Sequence, residues 1–268
     1  MAALDCPMFL LVLAAALLAM PARPQSTSPS PLEETVPPGL KRVVDLSYAI
    51  NDQLVAWPGD DKAFKAEVNG TVEKDGYFTR SFSMLEHYGT HLDAPAHFPP
   101  GKATVDEIPA ASLFGPAVVI DVQAESAKDA DYLLSAERIE RWETQHGKIP
   151  EHAIVLLRTG WASRWPDGAK YRNQDAAGKM HFPGYSLGAA RLLLARHVNG
   201  LGCDTLSIDY GASADFPVHH AVLGAGLYQL ENLANLGQLP ETGAFLVVAP
   251  IKLEGGSGGP ARVFALLP

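Results

Sequence analysis

Residues His87 to Phe98 read HYGTHLDAPAHF. The chain carries nine histidines in 268 residues, and three of them fall in this stretch beside Asp93. His87 and His91 are four apart, the spacing that puts two rings on one face of a zinc-binding helix. Gly89 and Pro95 argue against such a helix. In an extended chain side chains alternate faces, so His87, His91, Asp93 and His97, all at odd positions, point the same way. A straight strand would still spread His87 and His97 about 33 Å apart. Metal ligands lie ~2 Å from their ion, so one centre needs a bent chain, and Gly89 and Pro95 are where it can bend. A histidine-rich surface loop would not need four same-facing donors beside two bend residues. Imidazole with carboxylate suits Zn²⁺, Mn²⁺ or Fe²⁺, and the lack of thiolates argues against a purely structural zinc site.

A second constellation lies in SIDYGASADFPVHHAVLGAGLYQLENL, Ser207 to Leu233. His219 and His220 are expected in a loop after a strand, just before an apolar helix carrying Glu231. Taken singly, each histidine reads as a satisfied structural residue, and Glu231 among leucines could face solvent. As a pair they could complete a site begun by His91 and Asp93. The segment GGSGGP, Gly255 to Pro260, lacks the Lys-Ser/Thr of a phosphate loop and reads as a turn near the site.

Composition frames these stretches. Hydrophobic residues make up 47% and charged residues 19%, which excludes a disordered or fibrous chain. Lys+Arg 21 against Asp+Glu 30 gives a net charge of −9, without a basic cluster, so nucleic acid is not an expected partner. The apolar run MFLLVLAAALLAMPA, Met8 to Ala22, is short for a bilayer span and suits the core of a secretory signal. The expected organisation is a signal peptide over 1–22, a Pro/Ser-rich leader over 23–40 and one folded domain over 41–268. The protein is then secreted or held in the ER lumen, with no membrane attachment after signal cleavage. Cys6 falls in the signal, which leaves Cys203 alone and reads as a small buried residue. Asn69-Gly70-Thr71 is an N-glycosylation acceptor triplet, in keeping with secretion.

Strands are expected at RVVDLSYAI (42–50), GYFTRSFSML (76–85), AVVIDV (117–122), AIVLLRTG (153–160), LSIDYG (206–211) and GAFLVVAPIKL (243–253). Helices are expected at SAERIERWETQHG (135–147), at SLGAARLLLARHVNG (186–200) with Gly200 as its stop, and at AVLGAGLYQLENLANLG (221–237). This alternation predicts an α/β fold with a mixed sheet or a layered β/β/α arrangement.

HYGTHLDAPAHF resembles the His-x-Gly-Thr-His-x-Asp-x-Pro-x-His signature of the cyclase-like metal hydrolases, which include bacterial-type kynurenine formamidases (arylformamidases) and isatin hydrolases. DLSYAI, AWPGDD, VLLRTGW, TLSIDYG, HHAVLGAGLYQLENL and GGPARVFAL resemble further landmarks of that family in the same order, so the resemblance runs from Val43 to Leu266. It implies a swivelling β/β/α single domain, assembled as a homo-oligomer, a dimer or larger. It further implies metal ligands at His87, His91, Asp93, His219 and Glu231. In the formamidases Asp93 and Glu231 would bridge two Zn²⁺ ions, whereas isatin hydrolases would hold a single Mn²⁺. His97 matches the family's acid/base, and Trp57 matches a residue that contacts an aromatic substrate.

The chemistry accounts for these residue types. Amide hydrolysis needs an activated water, a stabilised oxyanion and a proton for the leaving nitrogen, and a divalent cation serves the first two. His97, with an ordinary pKa of about 6.5, suits the proton transfer. The expected substrate is a small aromatic amide, either an N-formyl aryl amine or a cyclic amide. Two other readings exist: a secreted metal-binding or interaction protein without turnover, and a non-haem iron oxygenase built on two histidines and a carboxylate. The His-x-x-x-His-x-Asp spacing and the additional His97 fit the hydrolase better.

Overall fold

Ile154 and Leu156 face one apolar core while Val155 and Leu157 face another, and this period of two organises the fold. The computed structural model describes residues 39–60 and 64–268. The expected signal peptide and most of the leader therefore lie outside the described residues. The elements run β1 (Arg42–Asp45), β2 (Phe64–Gly70), α1 (Val72–Asp75), β3 (Thr79–Met84), β4 (His91–Asp93), β5 (Phe114–Asp121), α2 (Gln123–Ser126), β6 (Leu133–Leu134) and α3 (Ala136–His146). They continue through β7 (Ile154–Arg158), α4 (Gly168–Arg172), β8 (Gly184–Tyr185), α5 (Leu187–Leu194), β9 (Gly200–Cys203), α6 (Pro217–Gly224), β10 (Tyr228–Glu231), β11 (Phe245–Pro250) and β12 (Gly258–Leu267).

The main sheet has the order β1-β12-β11-β5-β7-β9-β10-β4, and β4 pairs also with the start of β12. The sheet thus curls back on itself. Strands β5, β7, β9 and β10 are mutually parallel, and the remaining pairings are antiparallel. Inside the curl lies one core, with Leu92, Val119, Ile154, Leu230, Leu246 and Val263. On the outer face α3 and α5 cover the parallel strands with Ile139, Trp142, Ala189 and Leu193. Ser135 caps α3 by accepting from the Arg138 N–H, and Gly147 follows its last turn. This is the mixed α/β single domain with a mixed sheet that the alternation predicts. Among the described residues no helix is long and apolar enough to cross a membrane.

Four boundaries differ from expectation. The strand expected at 206–211 lies earlier, as β9 over Gly200–Cys203. Its glycines are packing requirements: a Cβ on Gly200 would meet the Tyr228 ring at 2.6 Å, and one on Gly202 would meet Leu156 and Leu233 at 2.8 and 2.9 Å. The helix expected over 221–237 is instead α6 followed by β10. Gly226, at φ +86°, turns the chain back so that β10 runs parallel to β9. Helix α5 ends at Leu194, well before Gly200, and His197 makes the left-handed turn that follows it. Strand β1 stops at Asp45 rather than reaching Ile50.

Candidate metal centre

The stretch His87–Phe98 bends at the two residues that permit it. Gly89 sits at φ +66°, His91–Asp93 forms β4, and Pro95 opens a single 3₁₀ turn ending at His97. Within β4, Leu92 enters the inner core, so His91 and Asp93 face the opposite side. The same period puts Tyr228 and Leu230 of β10 in that core and turns Glu231 outward. His91 and Glu231 are register partners across the β4–β10 pair. Glu231 therefore belongs to a strand rather than a helix, and it is buried rather than solvent-facing. His219 reaches the same face from α6, so it too lies on a helix rather than in a loop. His220, one residue on, is exposed and edge-on to Phe98, and does not join the cluster.

Asp93 is the hub. Its Oδ1 lies 2.7 Å from His87 Nδ1 and 3.1 Å from His91 Nε2, and its Oδ2 lies 3.5 Å from His219 Nε2. Glu231 stands 3.5 Å from His91 Nε2 and 3.3 Å from His219 Nε2. The other ring nitrogen of each buried histidine is already engaged. His91 Nδ1 donates to the Gly89 carbonyl at 2.9 Å, and His219 Nδ1 pairs with Asp209 at 2.7 Å. Both rings therefore present Nε2 to the carboxylates.

These residues fit a divalent metal. Two sets, His91–Asp93–Glu231 and His87–Asp93–His97, each bring one donor atom per residue within 4.8 Å of the others. Asp93 Oδ2 is buried with no hydrogen-bond partner, an acceptor left for a cation. Burial works against charge on His91, yet Asp93 and Glu231 outweigh it and raise the ring to about 9. Burial is likewise outweighed at Asp93, held well below the carboxylate range by His91, His219 and His87. At His219 the desolvation cost is overcome by Asp209, Asp93 and Glu231, which raise it well above the usual value. His97 behaves differently from the value of about 6.5 expected for a free ring. Burial first, helped by His87, His219 and His91 against the pull of Asp93, lowers it to about 4. It is a neutral imidazole at pH 7.

The cluster floors a cavity of about 590 Å³ whose walls include Trp57, Leu85, Phe98, Leu206 and Phe216. Trp57 is 37% exposed at the rim and packs 6.2 Å from the Phe216 ring. Phe98 lies 5.7 Å from Phe216 and 4.7 Å from the His219 ring. Phe216 holds φ +46°, a left-handed conformation rare for a bulky residue, at the start of α6. Asp209, Phe98 and Phe216 are residues the sequence reading missed. Phe98 closes the quoted motif and Phe216 precedes Val218–His219, so adjacency to the clustered side chains was the available signal; Asp209 lies in the TLSIDYG landmark, where nothing marked its contact with His219.

A mixed α/β fold with imidazoles and carboxylates gathered at the floor of an aromatic-walled cavity is the arrangement expected of a metal-dependent hydrolase. The Cyclase family model matches residues 44–210, and the chain belongs to that family. It is 38% identical over 216 residues to an isatin hydrolase of Roseibium aggregatum, covering 76% of this chain and 82% of that one. A kynurenine formamidase of Salinibacter ruber is 28% identical over 227 residues, covering 82% of this chain and 95% of its own. Isatin hydrolase A from Labrenzia aggregata, solved with benzyl benzoate bound, superposes with a TM-score of 0.78 at 39% identity, over 84% of this chain and 93% of that one. The chain is a cyclase-family hydrolase.

Proposed function

We propose that this hydrolase cleaves the C–N bond of a small aromatic amide, either a cyclic amide such as isatin or an N-formyl aryl amine such as N-formylkynurenine. The observation that carries this reading is the convergence of His87, His91 and His219 on Asp93, with Glu231 against His91 and His219, beneath an aromatic-walled cavity. His87, His91, Asp93, His219 and Glu231 would hold the metal, one or two Zn²⁺ ions or a single Mn²⁺. When bound, a divalent cation polarises the amide carbonyl and makes water acidic enough to attack at neutral pH. Trp57, Phe98 and Phe216 take the flat faces of the substrate ring and keep bulk water from the floor. His97, at the cavity wall, accepts the proton from the attacking water and returns it to the departing nitrogen.

Metal analysis of the purified protein, followed by assay on isatin and N-formylkynurenine, tests this. Stoichiometric metal with no turnover of any aryl formamide or lactam would leave a metal-binding protein and end the hydrolytic reading. We further propose a homo-oligomer, checked by light scattering, and passage through the secretory pathway. Asn69 supports the latter: it is exposed at a register shift in β2, between Val68 and Gly70. Expression in a eukaryotic secretory host should add an N-glycan there that Asn69→Gln removes. Retention of an unglycosylated chain in the cytosol would refute secretion.

A further inference from the structure

Glu86 and Ser257 lie 171 residues apart and meet behind His87. Glu86 Oε2 accepts from the Ser257 backbone N–H at 2.9 Å and lies 2.6 Å from the Ser257 hydroxyl oxygen. That hydroxyl is in turn 2.9 Å from His87 Nε2. The loop carrying Ser257 is pinned on both sides: the Ser257 carbonyl accepts from the Ala94 N–H and the Gly256 carbonyl from the Val105 N–H, each at 2.9 Å. The hydroxyl is therefore held by the fold on a line between the carboxylate and the ring.

The direction of these bonds follows from the inventory of donors. Glu86 Oε2 already accepts a backbone N–H, so it accepts the hydroxyl hydrogen as well. Ser257 has only that one hydrogen to give, which leaves it only lone pairs to offer His87. His87 Nε2 must then carry a hydrogen, which leaves Nδ1 as the ring nitrogen able to face a cation. Nδ1 faces Asp93 Oδ1 at 2.7 Å. A contact that short is filled by a hydrogen on Nδ1 or by the metal ion that displaces it.

We propose that Glu86 and Ser257 are positioning residues that fix the tautomer of His87, so that this ring offers Nδ1 to the metal while His91 and His219 offer Nε2. The inference rests on the reading of His87 as a ligand. The three histidines then receive three different outer partners: the Gly89 carbonyl, the Asp209 carboxylate, and a carboxylate acting through a hydroxyl. Without the relay, the His87 ring loses the acceptor that sets its hydrogen on Nε2. The ring is then free to place the hydrogen on Nδ1, where it blocks ligation.

The test uses the full chain and Zn²⁺ as the probe, titrated in competition with a chromophoric chelator. Loss of an outer partner of a metal-bound histidine typically costs 10–100-fold in affinity. Ser257→Ala is expected to weaken Zn²⁺ binding on the order of 10–100-fold, while Ser257→Thr, which keeps the hydroxyl, binds Zn²⁺ within a few-fold of wild type. Glu86→Gln should also weaken binding, because its side-chain amide no longer obliges the hydroxyl to point away from the ring. Nitrogen-15 NMR of the Zn²⁺-loaded protein reads the ligating atom of His87 directly, and Nδ1 is the expected answer. Ser257→Ala binding Zn²⁺ within twofold of wild type, or ligation through Nε2 of His87, would overturn the proposal. His87→Ala separates the two levels: if it leaves Zn²⁺ affinity intact, His87 is no ligand and the underlying reading fails first.

Discussion

His97 lies almost flat against His87, with ring centroids 3.9 Å apart and planes inclined by 26°. Stacking holds the His97 ring at the cavity wall without engaging its nitrogens in any hydrogen bond described for the fold. His97→Ala should therefore leave the metal content unchanged and lower kcat by roughly 10²–10⁴-fold, the usual contribution of a positioned acid/base. KM for isatin should move little. His97 also falls within 4.8 Å of a His87 and an Asp93 donor atom. If the variant loses metal in step with activity, His97 is a ligand and the assignment as acid/base is wrong.

Asp209 has two duties at once. Its carboxylate pairs with His219 Nδ1 at 2.7 Å and accepts the Val218 and His219 backbone N–H groups, each at 3.0 Å. The residue before Pro217 is Phe216, which has no side-chain acceptor, so Asp209 caps α6 from outside the helix. In Asp209→Asn the amide can give a hydrogen to Nδ1 and turn the His219 ring to the wrong tautomer. Zn²⁺ affinity should fall by about 10–100-fold. Asp209→Ala should add a loss of about 1 kcal/mol in stability, the ordinary value of a cap. Equal Zn²⁺ affinity in wild type and Asp209→Asn would rule out this role.

Gly258 decides how closely β12 approaches β4. It is paired with Asp93, and a Cβ there would meet the Leu92 carbonyl oxygen at 2.5 Å and the His87 ring at 2.7 Å. Backbone cannot yield cheaply, so Gly258→Ala should cost on the order of 1–3 kcal/mol and push His87 away from Asp93. Gly259 offers a comparison away from the centre, since a Cβ there would meet the Cγ2 methyl of half-exposed Ile251 at 2.6 Å and that residue's carbonyl oxygen only at 3.5 Å. Thermal melts and Zn²⁺ titrations of the pair should separate clearly. Comparable losses in both would mean that the approach of β12 does not hold the centre.

These contacts explain which parts of the molecule could be read from sequence. His87, His91, Asp93 and His97 were legible because one short segment holds them all at alternating positions between two bend residues. Helix α3 was legible from its serine cap, apolar spacing and terminal glycine. Strand β9 was not, because its glycines make room for Tyr228, Leu156 and Leu233, which come from elsewhere in the chain. Strand β10 was hidden because Tyr-Gln-Leu-Glu alternates over only four residues inside a run that also satisfies a helical period. Asp209 and Ser257 act through contacts that exist only once α6 and β12 are in place. The turn expected at GGSGGP is half right: it ends at Ser257, and the next three residues begin β12 against β4.

Away from the centre, Glu143 sets a pH dependence of stability. Its carboxylate is 3% exposed, takes a two-pronged contact from Arg196 at 2.7 and 2.9 Å, and meets Lys148 at 2.6 Å. Arg196 is the main cause, against the cost of burial, of a pKa lowered from 4.5 to about 2. The folded value lies below the unfolded one, so the stabilisation is full above pH 4.5 and is lost as the pH falls toward 2. Solvent around the mostly exposed Lys148 screens part of the interaction, which leaves about 2 kcal/mol at neutral pH. Glu143→Gln should be less stable than wild type by about that amount at pH 7, with the gap narrowing steadily below pH 4.5. Urea denaturation of both proteins at a series of pH values measures this difference and cancels the titration of other groups. A gap that stays constant from pH 7 to pH 3 would show that Glu143 is not the group responsible.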